Sequence, residues 1–207
     1  MTMLRLSAAL LLLAILLCGC ETVPPIPEMT RPESSGLGVE VKIGWQALPP
    51  DKIYFARIDN EDGLLQQQVF TSNHSKEGRA YLLNARPGTY VAVAAYFVSG
   101  YVQTTWYFSQ RLVELTKVTV QESGFAFMGS YDLSESMGLG GADNVQTHYK
   151  GVIAPDAPTD LLSMTISSNV QRRASLDGYK NDETSRTDFF LRAKEDLAGT
   201  KWAGHFK

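Results

Sequence analysis

The stretch Val91-Ala92-Val93-Ala94-Ala95-Tyr96-Phe97-Val98 is apolar at every position, and it restricts the possible folds more than any other segment. Its length suits a strand, and a strand with no polar alternation is one buried on both faces in the middle of a sheet. Around it the chain reads as short apolar runs separated by turn residues. Val39 to Trp45 alternates with period two, Pro49-Pro50-Asp51 marks a turn, and Ile53 to Ile58 is the next strand. Asn60-Glu61-Asp62-Gly63 is turn chemistry, and Leu65 to Thr71 and Arg79 to Leu83 follow as strands. Beyond the apolar run, Val102 to Phe108, Leu112 to Val120 and Phe125 to Tyr131 extend the series. Strands recurring about every eight to twelve residues predict a sandwich or a barrel.

The later chain is less regular. Residues 134–144 read as a loop, Val145 to Ile153 and Leu161 to Ser167 as strands, and Asn169 to Leu176 as a short helix, with Pro155 and Pro158 breaking the chain between. Ser185 with Asp188 resembles a capping box, and Phe189, Ala193 and Leu197 recur every four residues beside Phe190. Gly199 suits the position after a helix end and Lys201 the helix C-terminus, so Ser185 to Ala198 is predicted as an amphipathic helix. Its apolar face, with Trp202 and Phe206, is expected to pack on the β domain. A partner-binding helix is the alternative.

The segment Leu82-Leu83-Asn84-Ala85-Arg86-Pro87-Gly88-Thr89-Tyr90-Val91-Ala92-Val93 resembles the Pro-Gly-x-Tyr strand entry of carboxypeptidase-regulatory-like, or transthyretin-like, β-sandwiches. Gly124 to Leu133 is similar to a late strand in lipoproteins that carry such modules. The resemblance covers about half of the chain and consists of turn-and-strand grammar. It implies a mainly β fold, an Ig-like/prealbumin-like antiparallel β-sandwich with a C-terminal amphipathic helix, and it implies no activity.

The amino-terminal end carries a different kind of signal. Met1 to Arg5 holds one cation, and Leu6 to Leu17 is apolar apart from Ser7. As a helix this run spans about 18 Å, short of the roughly 30 Å of a bilayer core, so it reads as the core of a signal peptide. It ends in Leu17-Cys18-Gly19-Cys20, which resembles the bacterial lipobox. The resemblance implies cleavage after Gly19 and lipidation of Cys20. Two or three acyl chains make such an attachment stable where one is marginal. Glu21, rather than Asp, favours the outer membrane by the sorting rule of enteric bacteria, and the expected location is the periplasmic face of that membrane. Residues 20–36 contain four prolines and read as a semi-extended tether. The expected organisation is therefore a leader over 1–19, a lipidated tether over 20–36, a β-sandwich over 37–168 and a helical segment over 169–207.

Composition excludes several classes. The chain has 19 basic and 22 acidic residues, and loss of Arg5 with the leader takes the net charge from −3 to −4. This balance gives no electrostatic reason to expect nucleic acid as a partner. Cys18 and Cys20 are the only cysteines, so the mature chain has no intrachain disulfide and no multi-cysteine zinc site.

Residues with catalytic or ligating side chains form no recognisable constellation. His74, His148 and His205 lack a second histidine at helical spacing. Asp143, His148 and Asp156 read as loop residues unless the fold gathers them. Gly138-Leu139-Gly140-Gly141 lacks phosphate-loop spacing, and no Gly-x-Ser-x-Gly elbow occurs. Asp59-Asn60-Glu61-Asp62 reads as a solvated turn, with a weak calcium site as the alternative. The densest unusual feature is aromatic: Tyr96, Phe97, Tyr101, Trp106, Tyr107 and Phe108. Tyr101 beside Gly100 is expected at a hairpin tip, and alternation places Trp106 on the face of Val102 and Thr104. That face is either core or binding surface, which makes Tyr101 and Trp106 the candidate ligand-binding residues. No cofactor, metal or catalytic residue is implied. The expected function is a non-enzymatic interaction or assembly module, attached to the membrane through Cys20 and partnered by an envelope protein. A ligand- or glycan-binding lipoprotein and an envelope hydrolase are the alternatives.

Overall fold

The computed structural model describes residues 25–44, 49–59, 69–135 and 170–206. Within them the strands are β1 (Ser35–Ile43), β2 (Lys52–Arg57), β3 (Val69–Thr71), β4 (His74–Lys76), β5 (Arg79–Ala85), β6 (Gly88–Ser99), β7 (Val102–Phe108), β8 (Val118–Val120), β9 (Phe125–Glu135) and β10 (Val170–Lys180). Helix α1 (Gln110–Leu115) precedes β8, and helix α2 (Glu183–Asp196) and a 3-10 helix (Lys201–His205) follow β10. No helix among the described residues is long and apolar enough to cross a membrane.

The strands form one sheet in the order β3-β2-β6-β7-β10-β9-β1-β5-β4, with β8 added beside β6, and it curls into a half-barrel. The mainly β composition and the C-terminal helix agree with the sequence reading. The pairing departs from an antiparallel sandwich, because β1 pairs β9 in parallel and β7 pairs β10 in parallel. Period-two patterning identifies strands and their faces but carries no information on which distant strand lies alongside.

Strand β6 is central, as its composition predicts. Val91 to Ala95 are at most 1% exposed, between β2 and β7, but the expected burial does not extend along the whole apolar run: Tyr96 and Phe97 are half-buried and Val98 is 49% exposed where the β6–β7 hairpin outruns β2. A register shift interrupts the β2–β6 ladder between Tyr54 and Phe55, and there the Ala92 amide donates instead to the Thr116 hydroxyl at 2.8 Å. Thr116 closes helix α1, whose Leu112 and Val113 are fully buried in the main core. The sequence reads Leu112 to Val120 as one strand. The chain instead makes a helical turn capped by Ser109 and then the short β8, since a brief apolar run does not distinguish the two.

The second correction is β10. Asn169 to Leu176 reads locally as a helix, yet from Val170 onward it is strand, inserted between β7 and β9. Val-Gln-Arg-Arg-Ala-Ser-Leu has weak strand propensity, and the open ladders on either side override it. The loop expected at 134–144 and the strands expected at Val145 to Ile153 and Leu161 to Ser167 fall mainly or wholly outside the described residues.

Helix α2 lies across the outer face of β5, β1 and β9. Asp182 caps it, its carboxylate accepting from the Ser185 amide at 2.7 Å, three residues before the predicted cap. Phe189, Ala193, Leu197, Trp202 and Phe206 are buried with Tyr81, Leu83 and Phe127 in a second core. Gly38 lets the helix approach: a Cβ there would stand 2.5 Å from Phe189. Strand β5 thus serves two cores, with Ala80 and Leu82 in one and Tyr81 and Leu83 in the other.

The stretch expected to be a free tether is partly docked. Ile26 and Met29 pack on the second core, and the Trp202 indole donates to the Pro27 carbonyl at 2.9 Å. The Asn84 side chain holds the same segment, donating to the Glu28 carbonyl and accepting from the Thr30 amide.

Candidate functional site

Strand directions place the two ends of the molecule. β1 and β9 are parallel, β10 opposes β9, β7 follows β10, and β6 opposes β7. The β6–β7 hairpin therefore turns at the end of the sheet opposite Ser35, where β1 begins.

This hairpin projects past its neighbours. β2 pairs β6 only as far as Lys52 with Tyr96, and β10 reaches β7 only at Thr104. Beyond that, the Asp51 carboxylate supports the hairpin by accepting from the Val98 amide at 2.6 Å. Residues 98–103 are all exposed and none is charged. Tyr101 is 99% exposed at the tip, with Val98 and Val102 about half exposed on either side.

The aromatic stretch is split by the fold. Tyr107 and Phe108 are buried, and Trp106 is half-buried on the same face as Val102 and Thr104, as alternation predicts. Its ring meets Phe97 edge-on at 6.3 Å, a diagonal cross-strand contact. Trp106 thus stiffens the base of the hairpin while Tyr101 occupies its tip. Cys20 lies outside the described residues, as do Asp143, His148 and Asp156.

Sequence reasoning missed a buried polar cluster. Asp196, at the end of α2, accepts from Arg79 at 2.6 and 3.1 Å and from the Tyr81 hydroxyl at 2.6 Å. Lys76 adds a 3.4 Å contact, and Glu77 pairs with Arg79 at 3.1 Å. Burial alone would raise the Asp196 carboxyl, but the bonds from Arg79 and Tyr81 outweigh it and hold its pKa below the usual value. Burial and the bond to Asp196 push Tyr81 up. His74 stacks on Tyr81 at 5.7 Å, and burial lowers its pKa. With Arg79, Tyr81 and Asp196 at most 6% exposed, the cluster is closed to substrates and serves as a clamp between helix and sheet. The one legible signal was an acid in the last turn of a helix, where the macrodipole disfavours it.

A second feature lies at the opposite end from the hairpin tip. Met29 to Pro32, Ser123, Lys201, Gly204 and His205 line an open cleft of about 690 Å³. Among the described residues no three His, Cys, Asp or Glu side chains are placed to hold a metal ion, and of the acidic turn only Asp59 is described, paired with Arg57 at 2.8 Å.

No family model, curated protein or solved structure matches the chain. The carboxypeptidase-regulatory-like resemblance therefore rests on its own residues, chiefly the turn at Pro87-Gly88 that opens β6.

Proposed function

We propose that the chain is a lipid-anchored envelope lipoprotein acting as a non-enzymatic interaction module, with the β6–β7 hairpin tip as its contact surface. The observation that carries this reading is polarity along the sheet. The chain enters the domain at one end, and an uncharged, apolar-flanked Tyr101 projects from the other. A tyrosine presented beyond the core supplies large contact area at small entropic cost, the property that enriches aromatics at interfaces. With Cys20 acylated, such a tip faces away from the lipid surface toward a partner. The half-burial of Trp106 against Phe97 weighs against the glycan-binding alternative, which calls for an open aromatic face.

The test is site-specific photocrosslinking in envelopes. A photoreactive phenylalanine at Tyr101 should yield one discrete protein adduct, and the same group at exposed Lys117, toward the other end, should not. Absence of an adduct at positions 98, 101 and 102 alike would remove the hairpin as the contact surface. Cys20→Ala tests the anchor separately, because it should move the protein from the membrane to the soluble fraction.

A further inference from the structure

The open cleft at the chain-entry end carries unneutralised positive charge. Arg31 and Lys201 both line it, with His205 beside them and no carboxylate in the lining. Neither cation has an ion-pair partner among the described residues. Three segments far apart in the chain converge to make it: the docked stretch before β1, the turn at Ser123 between β8 and β9, and the 3-10 helix after α2. The Trp202 bond to Pro27 and the Asn84 bonds to Glu28 and Thr30 fasten the backbone of the first of these just before Arg31.

The position of the cleft indicates what it meets. Only residues 21–25 separate Cys20 from the docked Ile26. Fully extended, that span covers at most about 20 Å. An acyl anchor at Cys20 would thus keep Arg31 close to the headgroup layer.

We infer that this cleft binds the phosphate of an anionic phospholipid headgroup, an assignment that rests on the lipid-anchored reading for its source of ligand. Paired cations with the Ser123 hydroxyl nearby suit a phosphodiester bearing net negative charge, while the Thr30 hydroxyl is committed to Asn84. A choline or ethanolamine headgroup brings its own cation to the same site and is disfavoured by like charge. The bound lipid would orient the domain on the membrane, holding the hairpin tip outward.

The test uses the full chain, purified from membranes in mild non-ionic detergent and examined by native mass spectrometry. Short-chain phosphatidylglycerol, short-chain phosphatidylcholine and inorganic phosphate are offered in turn. One phosphatidylglycerol per chain is expected, at least about tenfold tighter than phosphatidylcholine and weakened about tenfold by the double variant Arg31→Gln/Lys201→Gln. Both side chains are exposed and lack an ion-pair partner among the described residues, so that variant should fold as the parent does, which circular dichroism checks. Equal binding of the two lipids, or no effect of the double variant, would overturn the inference. Displacement of the lipid by equimolar inorganic phosphate would overturn its assignment to lipid. The same spectra report the anchor independently, since acylation at Cys20 adds the mass of its chains whether or not the cleft is filled.

Discussion

Replacing Asp196 by Leu is the sharpest perturbation of the clamp between helix α2 and the sheet. Asp196 is 6% exposed and receives two bonds from Arg79 and one from Tyr81. Among the described residues, the substitution leaves the Arg79 guanidinium, 4% exposed, with the exposed Glu77 as its remaining counter-charge, and strands the Tyr81 hydroxyl. Breaking a buried ion pair from one side costs about 3–5 kcal/mol, because the surviving charge stays desolvated. Against a domain stability of about 5–15 kcal/mol this is a large fraction. It corresponds to a fall in Tm of roughly 6–20 °C for a chain of this size. Arg79→Met combined with Asp196→Leu should recover much of the loss, since an apolar pair of similar volume restores packing without a stranded charge. The pH dependence has a definite sign. A carboxyl held below its ordinary pKa contributes stability above that ordinary value, about 3.8, and the contribution is lost as pH falls through the lower folded value. The parent and Asp196→Leu should therefore differ most near neutrality and converge in acid. Urea denaturation at pH 7 and pH 3 measures both points. A loss below about 1 kcal/mol at neutral pH, or a gap that widens in acid, would refute the clamp.

Two further outcomes follow from the same region. Gly38→Val should destabilise the chain by about 1–3 kcal/mol through overpacking against Phe189, and Phe189→Ala should relieve part of the clash, read as non-additivity in a double-mutant cycle. His74 is held neutral by burial, so the unfolded chain takes its proton first as pH drops below about 6.5 and stability falls there. His74→Phe, which keeps the ring on Tyr81, should flatten the urea midpoint between pH 7.5 and 5.5, whereas an unchanged slope would assign that loss to other groups.

The sequence by itself determined the strands whose pattern is local. Val91 to Ala95 had to be a buried central strand, because no surface position tolerates five consecutive apolar residues beside Tyr96 and Phe97. The apolar stripe Phe189, Ala193, Leu197 was equally legible, as was the helix stop at Gly199, which takes φ +80°. Tyr101 at a hairpin tip followed from Gly100 and the alternation after it. Tertiary structure alone decided the rest. β10 is a strand because β7 and β9 each leave an edge for it, and its own residues express no such preference. β1 lies parallel to β9, about ninety positions later in the chain, and no local rule selects a partner at that distance. The same holds for the polar features. Asp196 meets Arg79 across 117 positions, and Lys201 joins Arg31 in one cleft, because helix α2 crosses the sheet and the chain then returns to the end where it entered. Patterning sets what each segment buries, and only the folded chain sets which charges are left facing one another or facing none.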